Sequence, residues 1–384
     1  MSQTKAQLLQ GTAAENVTVD NIVTTSVNGG QLSHRNRVIN GAMEINQRVG
    51  PYTSTGEEYT LDRFKHITGS GFTFDTTTTQ NTSAPDGFTK SLKITPDSTQ
   101  TPTGSHNGMI AQIIEADNLV GFAHGTSSAK KSVLSFYAKS ASQNSGHQYS
   151  VQLLKLATSG QYYYVNKAFT VTSSWQRFTV AFAADTSNNI TSGNGEGLRI
   201  LFHLATGPDD IGSEVSTWTA ANGNFAVTGQ SNFMDNTSNE FYLTGVQLEA
   251  SDADVATDFE HRSFGEELKL CSRYYQQWAA ITSGGSTNDN AIAVMANFLN
   301  THAYGRIPYI NGSMRTGPSI TQSNNAYFTN GNSYSGLTYT INGSSPTSLE
   351  VHVVASSGNW TAGHAGWLRA STGSGGLFAL DAEL

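Results

Sequence analysis

The stretch VQLEASDADVATDFEHRSFGEELKLCSRYYQQW, residues 246–278, holds the clearest helix pattern in a chain whose other segments alternate like strands. Ser263 can cap this helix, and Glu266 three residues later can reach back to the backbone amide of the cap. Apolar side chains then recur at spacings of four, three, four and three, which places them on one stripe of a helix. The stripe consists of Phe264, Leu268, Cys271, Tyr275 and Trp278. The stretch therefore predicts a short helix between two strand-rich regions.

Strand-like segments lie on both sides of this helix. Before it, segments such as 147–156 and 197–205 are bounded by Gly, Asn, Ser or Pro, and many of them alternate apolar and polar residues. Many short strands without helices between them are typical of an antiparallel sandwich or jelly roll. After it, a Gly/Ser/Asn-rich connector leads to more strands. In segment 348–356, apolar residues alternate with Glu350 and His352, which predicts a half-buried sheet face.

These patterns predict an all-β chain. We expect two antiparallel β-sandwich, jelly-roll-like domains joined by one short helix, with an extended N-terminal arm. The expected boundaries are 1–35 for the arm, 36–262 for the jelly-roll sandwich, 263–282 for the connecting helix and linker, and 283–384 for the C-terminal sandwich. The arm is treated separately because its scattered apolar residues are too few to offset the entropy of ordering it alone.

Composition restricts the partners and the compartment. Charged residues make up 13% of the chain, and the net charge is −8 without a basic cluster, which argues against nucleic acid as a partner. The N-terminus lacks the apolar core of a signal peptide, and no run of eighteen apolar residues occurs. We therefore expect assembly in a cytoplasm, without a secretory signal or membrane insertion. Cys271 is the single cysteine, so an intrachain disulfide is excluded.

Several phrases of the sequence resemble one class of viral protein. RNRVINGAMEINQR (35–48) and YTLDRFKH (59–66) resemble the opening of the receptor-binding domain in phage tail-fibre and minor virion proteins. The stretch 246–278 resembles the join between domains in those proteins. SMRTGPSI (313–320) resembles their Met-Arg-x-x-Pro turn, and GGLFALDAEL (375–384) resembles their closing strand. The matches are collinear, and they do not cover the N-terminal arm.

The resemblance implies a jelly roll like those of carbohydrate-binding modules, a C-terminal β domain and a homotrimer on a virion. On this interpretation the N-terminal arm docks to tail or capsid proteins, and loops of the β domains bind host surface polysaccharide. Two alternatives stay open. One is an architectural capsid-fibre, adaptor or decoration protein that binds only virion partners. The other is a tail spike that degrades polysaccharide.

No catalytic motif supports an enzyme. HExxH, GxSxG, CxxC, Walker A and GxGxxG sequences are all absent. A glycosidase needs two carboxylates at a fixed separation, which one sequence does not reveal. The candidate carboxylates are Asp62, Glu115, Asp185, Glu240 and Glu249. We expect a non-catalytic protein without a cofactor.

A metal site is also not favoured. Asp252, Asp254 and Asp258 share a loop whose spacing faintly resembles a calcium site. The glycine and the terminal glutamate of an EF-hand loop are missing, so a solvated acidic loop is favoured over structural calcium.

Two groups of aromatic residues are candidate glycan contacts, because sugars stack on exposed aromatic rings. The candidates are Tyr162, Tyr163 and Tyr164 at a strand start, and Trp360, His364 and Trp367 in a Gly-rich stretch near the C-terminus. Consecutive tyrosines on a strand cannot all face inward, although packing in a trimer interface explains them equally well. Trp175, by contrast, precedes a strand with inward-alternating Phe178 and Phe182, and we expect it to fill the core.

The helix stripe has two interpretations. As a surface helix packed on its own sandwich, it would have no role beyond stability. As an oligomer interface, Phe264, Leu268, Cys271, Tyr275 and Trp278 would cluster around the axis of a homotrimer. The continuous aromatic-rich stripe and the resemblance together favour the interface.

Overall fold

The computed structural model describes residues 31–221, 223, 225–279, 290–322, 326–329, 337–345, 347–356, 360–370 and 377–384. In this part of the chain, mostly antiparallel strands form two sandwiches, and one short α-helix lies between them. The predicted all-β fold class is therefore confirmed. Residues 1–30 of the predicted N-terminal arm lie outside the described residues. Among the helices that are described, none is long and apolar enough to cross a membrane.

The N-terminal sandwich contains strands β1 to β15. They are Tyr52–Ser54, Glu58–Tyr59, Lys65–Gly69, Thr76–Asn81, Ser91–Pro96, Asn107–Glu115, Lys131–Ser140, Gln148–Leu156, Tyr162–Thr170, Gln176–Phe182, Glu196–Thr206, Ile211–Gly212, Val215–Ala220, Ala226–Val227 and Phe241–Ser251. One sheet has six strands in the order β1-β4-β5-β15-β7-β10, and the facing sheet has seven in the order β13-β9-β8-β11-β6-β3-β2. Alternate side chains of both sheets meet in the core. At the centre of this core, the ring centroid of Phe136 lies 5.1 Å from that of Phe169 and 5.0 Å from that of Phe202.

The C-terminal sandwich contains strands β16 to β24. They are Tyr275–Ala279, Asn290–Asn297, His302–Pro308, Ser319–Gln322, Ala326–Thr329, Leu337–Ser344, Ser348–Ala355, Ala365–Ala370 and Leu377–Asp381. Three strands, β16-β24-β19, form one sheet, and six strands, β20-β23-β17-β18-β22-β21, form the other. Leu349, Val351 and Val353 of β22 are fully buried, whereas Glu350 and His352 are half-buried on the opposite side. The predicted alternation is confirmed, and it leaves the outer side of the six-stranded sheet facing away from the core.

The helix, α1, spans Phe264–Ser272 and begins with the predicted capping box between Ser263 and Glu266. The expectation that the helix continues to Trp278 was wrong. Tyr275 and Trp278 lie on β16, where Tyr275 pairs with Asp381 of β24. The backbone of this segment is satisfied by a strand partner about a hundred residues later, which a local apolar spacing cannot reveal.

Charged and aromatic side chains join the two sandwiches where the closing segment 381–384 meets the N-terminal domain. Arg63 is 1% exposed, pairs with Glu383 and lies 3.5 Å above the ring of Tyr274. Arg48 also pairs with Glu383, at 3.2 Å, and lies 3.8 Å above the ring of Tyr275. Each guanidinium thus has an anionic partner and an aromatic face, which compensates for its removal from water. The junction consequently holds the two sandwiches as one packed unit.

Candidate functional site

The three predicted tyrosines lie on β9, which is not a sheet edge because β13 pairs with it. Tyr164 is 2% exposed, and Tyr163 is half-buried against the sandwich core. Tyr162 is half-buried beside Arg199, whose guanidinium carbon lies 5.6 Å from the ring centroid. No flat exposed ring results from this run. The placement gives little support to these tyrosines as a sugar platform.

The three predicted residues near the C-terminus fall in different environments. Trp360 is 3% exposed and packs in the core of the C-terminal sandwich, so it is not open to a ligand. His364 is exposed in the turn before β23, where its carbonyl oxygen accepts a hydrogen bond from the amide of Asn297. Trp367 is 45% exposed in the middle of β23. It is the member of this group that offers an indole ring on the surface of a strand.

Trp367 belongs to a broader exposed surface, the outer side of the six-stranded sheet, which we call the C-terminal open face. Across from Trp367 on β17 lies Val294, which is 57% exposed. On the other side of β17, Met295 pairs with Gly305 of β18. The same antiparallel register places the exposed Arg306 of β18 opposite Val294, next in this row. Arg306 in turn pairs with Glu350 of β22. One row across four strands therefore runs from an indole, through an aliphatic side chain, to a cation and an anion.

A second row runs parallel to the first and is built mainly from aromatic rings. Tyr304 of β18 pairs with His352 of β22, and their rings stack with centroids 4.4 Å apart and an interplanar angle of 6°. The ring of His302 also stacks on His352, with centroids 5.1 Å apart, and the exposed Phe298 meets Tyr304 edge-on with centroids 6.1 Å apart. Burial lowers the pKa of His352, and the neighbouring His302 lowers it further. The stacked rings hold this row in a defined arrangement.

A polar pocket of about 190 Å³ closes the first row at its charged end. Its lining consists of Arg306, Asn342, Gly343, Ser344, Ser345, Ser348 and Glu350. Asn342 donates a hydrogen bond of 2.6 Å to Glu350, which fixes the amide and the carboxylate relative to each other. The pocket therefore presents hydroxyl, amide, guanidinium and carboxylate groups, which together can donate to and accept from several hydroxyl groups of a ligand.

This combination of groups suits the binding of a ligand. Exposed apolar and aromatic area can cover the face of a ligand, and planar polar groups can fix its orientation. Of these residues, the sequence predicted Trp367 as a ligand contact and placed His352 and Glu350 on the polar side of a strand, but it missed Val294, Tyr304 and Arg306. Their signal was the alternation along segments 290–297 and 302–308, whose outward positions become neighbours only once β17, β18 and β23 pair. Pairing between distant segments was the missing information.

The predicted oligomer stripe is largely occupied by contacts within the chain. Cys271 is fully buried, Tyr275 is 6% exposed, and Leu268 packs beside Cys271 in a small cluster at the junction. Trp278 packs on Phe378 of the C-terminal core, with ring centroids 6.1 Å apart. Phe264 alone of the five is largely exposed, at 63%. The arrangement matches the alternative of a helix packed against its own chain.

Each carboxylate considered for catalysis is engaged by a neighbouring group. Asp62 accepts from the backbone and side chain of Gln47, and Glu249 accepts from Thr257. The other three form ion pairs: Glu115 with Arg273, Asp185 with Lys155, and Glu240 with Lys93.

In the acidic loop, Asp252 pairs with Lys130 and Asp254 with Lys131, both at 2.7 Å. Asp258 lies 4.0 Å from Arg177. Within the described residues, no cluster of three or more His, Cys, Asp or Glu side chains is arranged to hold a metal ion.

Trp175 does not occupy the core, and that prediction was wrong. It is half-buried on the outer side of the six-stranded sheet of the N-terminal sandwich, 6.1 Å from the ring of Tyr242. Side chains alternate along a strand, so Trp175 faces away from the side that Phe178 and Phe182 share.

The chain was compared with protein families, curated proteins and solved structures. No family model and no curated protein matches it. One similar structure is the family 11 carbohydrate-binding module of the cellulosomal cellulase Lic26A-Cel5E of Clostridium thermocellum, at 13% identity over 52% of this chain and 97% of that chain, with a TM-score of 0.27. Another is the C-terminal family 22 carbohydrate binding module of Clostridium thermocellum Xyn10B, at 11% identity over 53% and 96%, with a TM-score of 0.28.

A third similar structure is the enzymatically active domain of tailspike protein 4 of bacteriophage CBA120, at 12% identity, with a TM-score of 0.30. The match covers 56% of this chain and 21% of that chain. At these identities and TM-scores, the likenesses support no statement about what this chain binds.

Proposed function

We propose that this chain is a non-catalytic attachment protein of a phage virion, a tail fibre or receptor-binding protein that binds host surface glycans through its C-terminal open face. The observation that carries the proposal is the row that joins the exposed Trp367 to the polar pocket. The collinear sequence phrases support the placement on a virion.

The chemistry of the open face suits a saccharide. A pyranose ring has one apolar face of C–H groups and a rim of hydroxyls, and the row offers a matching surface for each. Trp367 and Val294 supply apolar area at one end, and Arg306, Glu350 and Asn342 supply hydrogen-bonding groups at the other. Adjacent strands lie about 4.8 Å apart, so the row from β23 to β22 spans about 14 Å. That length fits a short oligosaccharide better than a single sugar.

The exposed position of the C-terminal open face and its few polar groups predict weak binding by a single copy. Attachment would then depend on several copies acting together, which raises the apparent affinity without any new contact. A homotrimer docked to the tail or capsid through its N-terminal arm meets this need, and it is part of the proposal. Because the helix stripe is used within the chain, we expect self-association to use other surfaces. Mass measurement in solution tests the trimer, and a monomeric mass would remove this part of the proposal.

A glycan array probed with the intact chain tests the function. We expect binding to a defined set of bacterial surface oligosaccharides. If neither an array nor host cells bind the chain, the architectural alternative, a protein that contacts only virion partners, is the better explanation. Incubation of the chain with host polysaccharide separates the remaining alternative. Release of shorter oligosaccharides would show a degrading tail spike, whereas we expect the polymer length to stay unchanged.

A further inference from the structure

A second cluster of aromatic and charged side chains crosses the outer side of the six-stranded sheet of the N-terminal sandwich. Strand register places Lys93 of β5 opposite Tyr242 of β15, and Tyr242 opposite Lys139 of β7. Trp175, immediately before β10, continues the row beyond Lys139, because β10 pairs with β7. We call these four residues the lysine–tryptophan row. It lies on a different domain from the C-terminal open face and shares no residue with it.

The direct contacts of Lys139 are with neutral groups, and Glu240, the ion-pair partner of Lys93, interacts with it electrostatically without forming a direct ion pair. Its ammonium nitrogen lies 4.5 Å from the ring centroid of Tyr242 and 5.3 Å from that of Trp175. It also donates a 2.8 Å hydrogen bond to the hydroxyl of Ser83. In the part of the chain that the structure describes, Lys139 forms no ion pair with a carboxylate. An oriented ammonium between two aromatic faces therefore retains its capacity to bind an anion.

Lys93, at the other end of the row, differs because its charge is matched. It pairs with Glu240 at 2.5 Å, and Glu240 also accepts a 2.8 Å hydrogen bond from the hydroxyl of Tyr242. These contacts fix the Tyr242 ring, which is 8% exposed, beneath the two lysines. Two ammonium groups against one carboxylate leave the row with one net positive charge, on a chain whose net charge is −8.

We propose that the lysine–tryptophan row is a second saccharide site and that it binds an acidic sugar. The half-buried indole of Trp175 supplies apolar area for the C–H groups of a pyranose, and the Lys139 ammonium lies over that indole, where it can reach the carboxylate of a sugar bound along the row. A charge-assisted hydrogen bond to a carboxylate is about twice as strong as a neutral one. An acidic sugar thus satisfies both the aromatic face and the unpaired cation, whereas a neutral sugar satisfies only the first.

The test compares one ligand in two charge states. Oligogalacturonate and its methyl ester have the same rings, and the ester lacks the carboxylate charge. We expect the intact chain to bind the acid about tenfold more tightly than the ester at low salt, and we expect added salt to reduce this preference. Lys139→Met should abolish the preference, and Lys139→Arg should retain it. Trp175→Ala should weaken binding of both ligands.

Two control variants locate the effect. Lys131 lies on the same strand as Lys139 but is paired with Asp254, so Lys131→Met removes one positive charge and should leave the acid preference intact. Trp367→Ala alters the C-terminal open face and should leave oligogalacturonate binding unchanged, which keeps this test separate from that of the proposed function. Equal binding of acid and ester, no binding of the acid, or an unchanged preference in Lys139→Met each overturns the proposal.

Discussion

Two buried histidines predict that the N-terminal sandwich loses stability in mild acid. His203 is fully buried, donates a 2.9 Å hydrogen bond from Nε2 to the side-chain oxygen of Gln152 and stacks on Phe225. His124 is 7% exposed and lies between the rings of Phe122 and Trp218. Burial lowers the pKa of His203 to about 3, and burial together with the nearby Lys155 lowers the pKa of His124 to about 3.

The direction in which stability changes with pH follows from the number of protons that the folded and unfolded states bind. In the unfolded chain a histidine has a pKa of about 6.5, so below that pH the unfolded state binds a proton that the folded state excludes. Stability is therefore fully present above pH 6.5 and is lost as the pH falls from 6.5 toward 3. Each histidine contributes about 1.36 kcal/mol per pH unit, or about 2 kcal/mol between pH 6.5 and pH 5. The two together amount to about 4 kcal/mol, a large part of the stability of a typical domain.

Urea unfolding followed by circular dichroism, at pH 8 and at pH 5, measures this loss. His124→Phe should keep the ring stack, and in the described part of the chain neither ring nitrogen of His124 has a hydrogen-bond partner to lose. We expect this variant to match or exceed the wild-type stability at pH 8 and to lose only about half as much at pH 5. A wild-type loss below about 1 kcal/mol would refute the reasoning, as would a variant with the full loss.

Three further outcomes follow from buried contacts. Glu383→Gln leaves the buried guanidinium of Arg63 without its charge partner and should lower the free energy of unfolding in urea by about 3–5 kcal/mol. Glu57→Gln removes the partner of Lys65 in an exposed ion pair and should lower it by about 0–1 kcal/mol. Equal losses for the two variants would contradict the junction as described. A Cβ at Gly41 would lie 2.2 Å from the carbonyl oxygen of Val246 in β15. Gly41→Ala should therefore lower the free energy of unfolding by about 1–3 kcal/mol. An unchanged urea midpoint would refute this close packing. Burial raises the pKa of the Cys271 thiol, so a thiol reagent should label it in urea but not in the native protein, and rapid native labelling would show that the junction opens.

The sequence predicted the features that depend on local pattern. The capping box of Ser263 and Glu266, the strand-rich regions and the alternation around His352 all follow from neighbours within a few residues. The end of the helix did not, because Tyr275 belongs to a strand whose partner, β24, is distant in sequence. Register between distant strands decides which side of a sheet is open, and it therefore also decides where a binding face forms.

The aromatic residues show the same limit more sharply. Trp360 and Trp367 are seven residues apart in one Gly-rich stretch, yet the first fills a core and the second lies on the surface. The core position predicted for Trp175 was wrong. Trp175 and Phe178 are an odd number of residues apart, so the alternation of a strand places Trp175 on the outer side of the sheet. Composition indicates that aromatic residues matter in a β protein, but only the paired strands show which of them a ligand can reach.

The most direct test of glycan binding by the C-terminal open face is a calorimetric titration of the intact chain with the strongest glycan found on the array. Trp367→Ala should weaken binding by about tenfold, because tryptophan is enriched among the interface residues whose truncation costs more than about 1 kcal/mol. Phe264→Ala, which removes an exposed ring elsewhere, should bind like the wild type. Equal affinities for the wild type and Trp367→Ala, with unchanged unfolding temperatures, would contradict the assignment of the site.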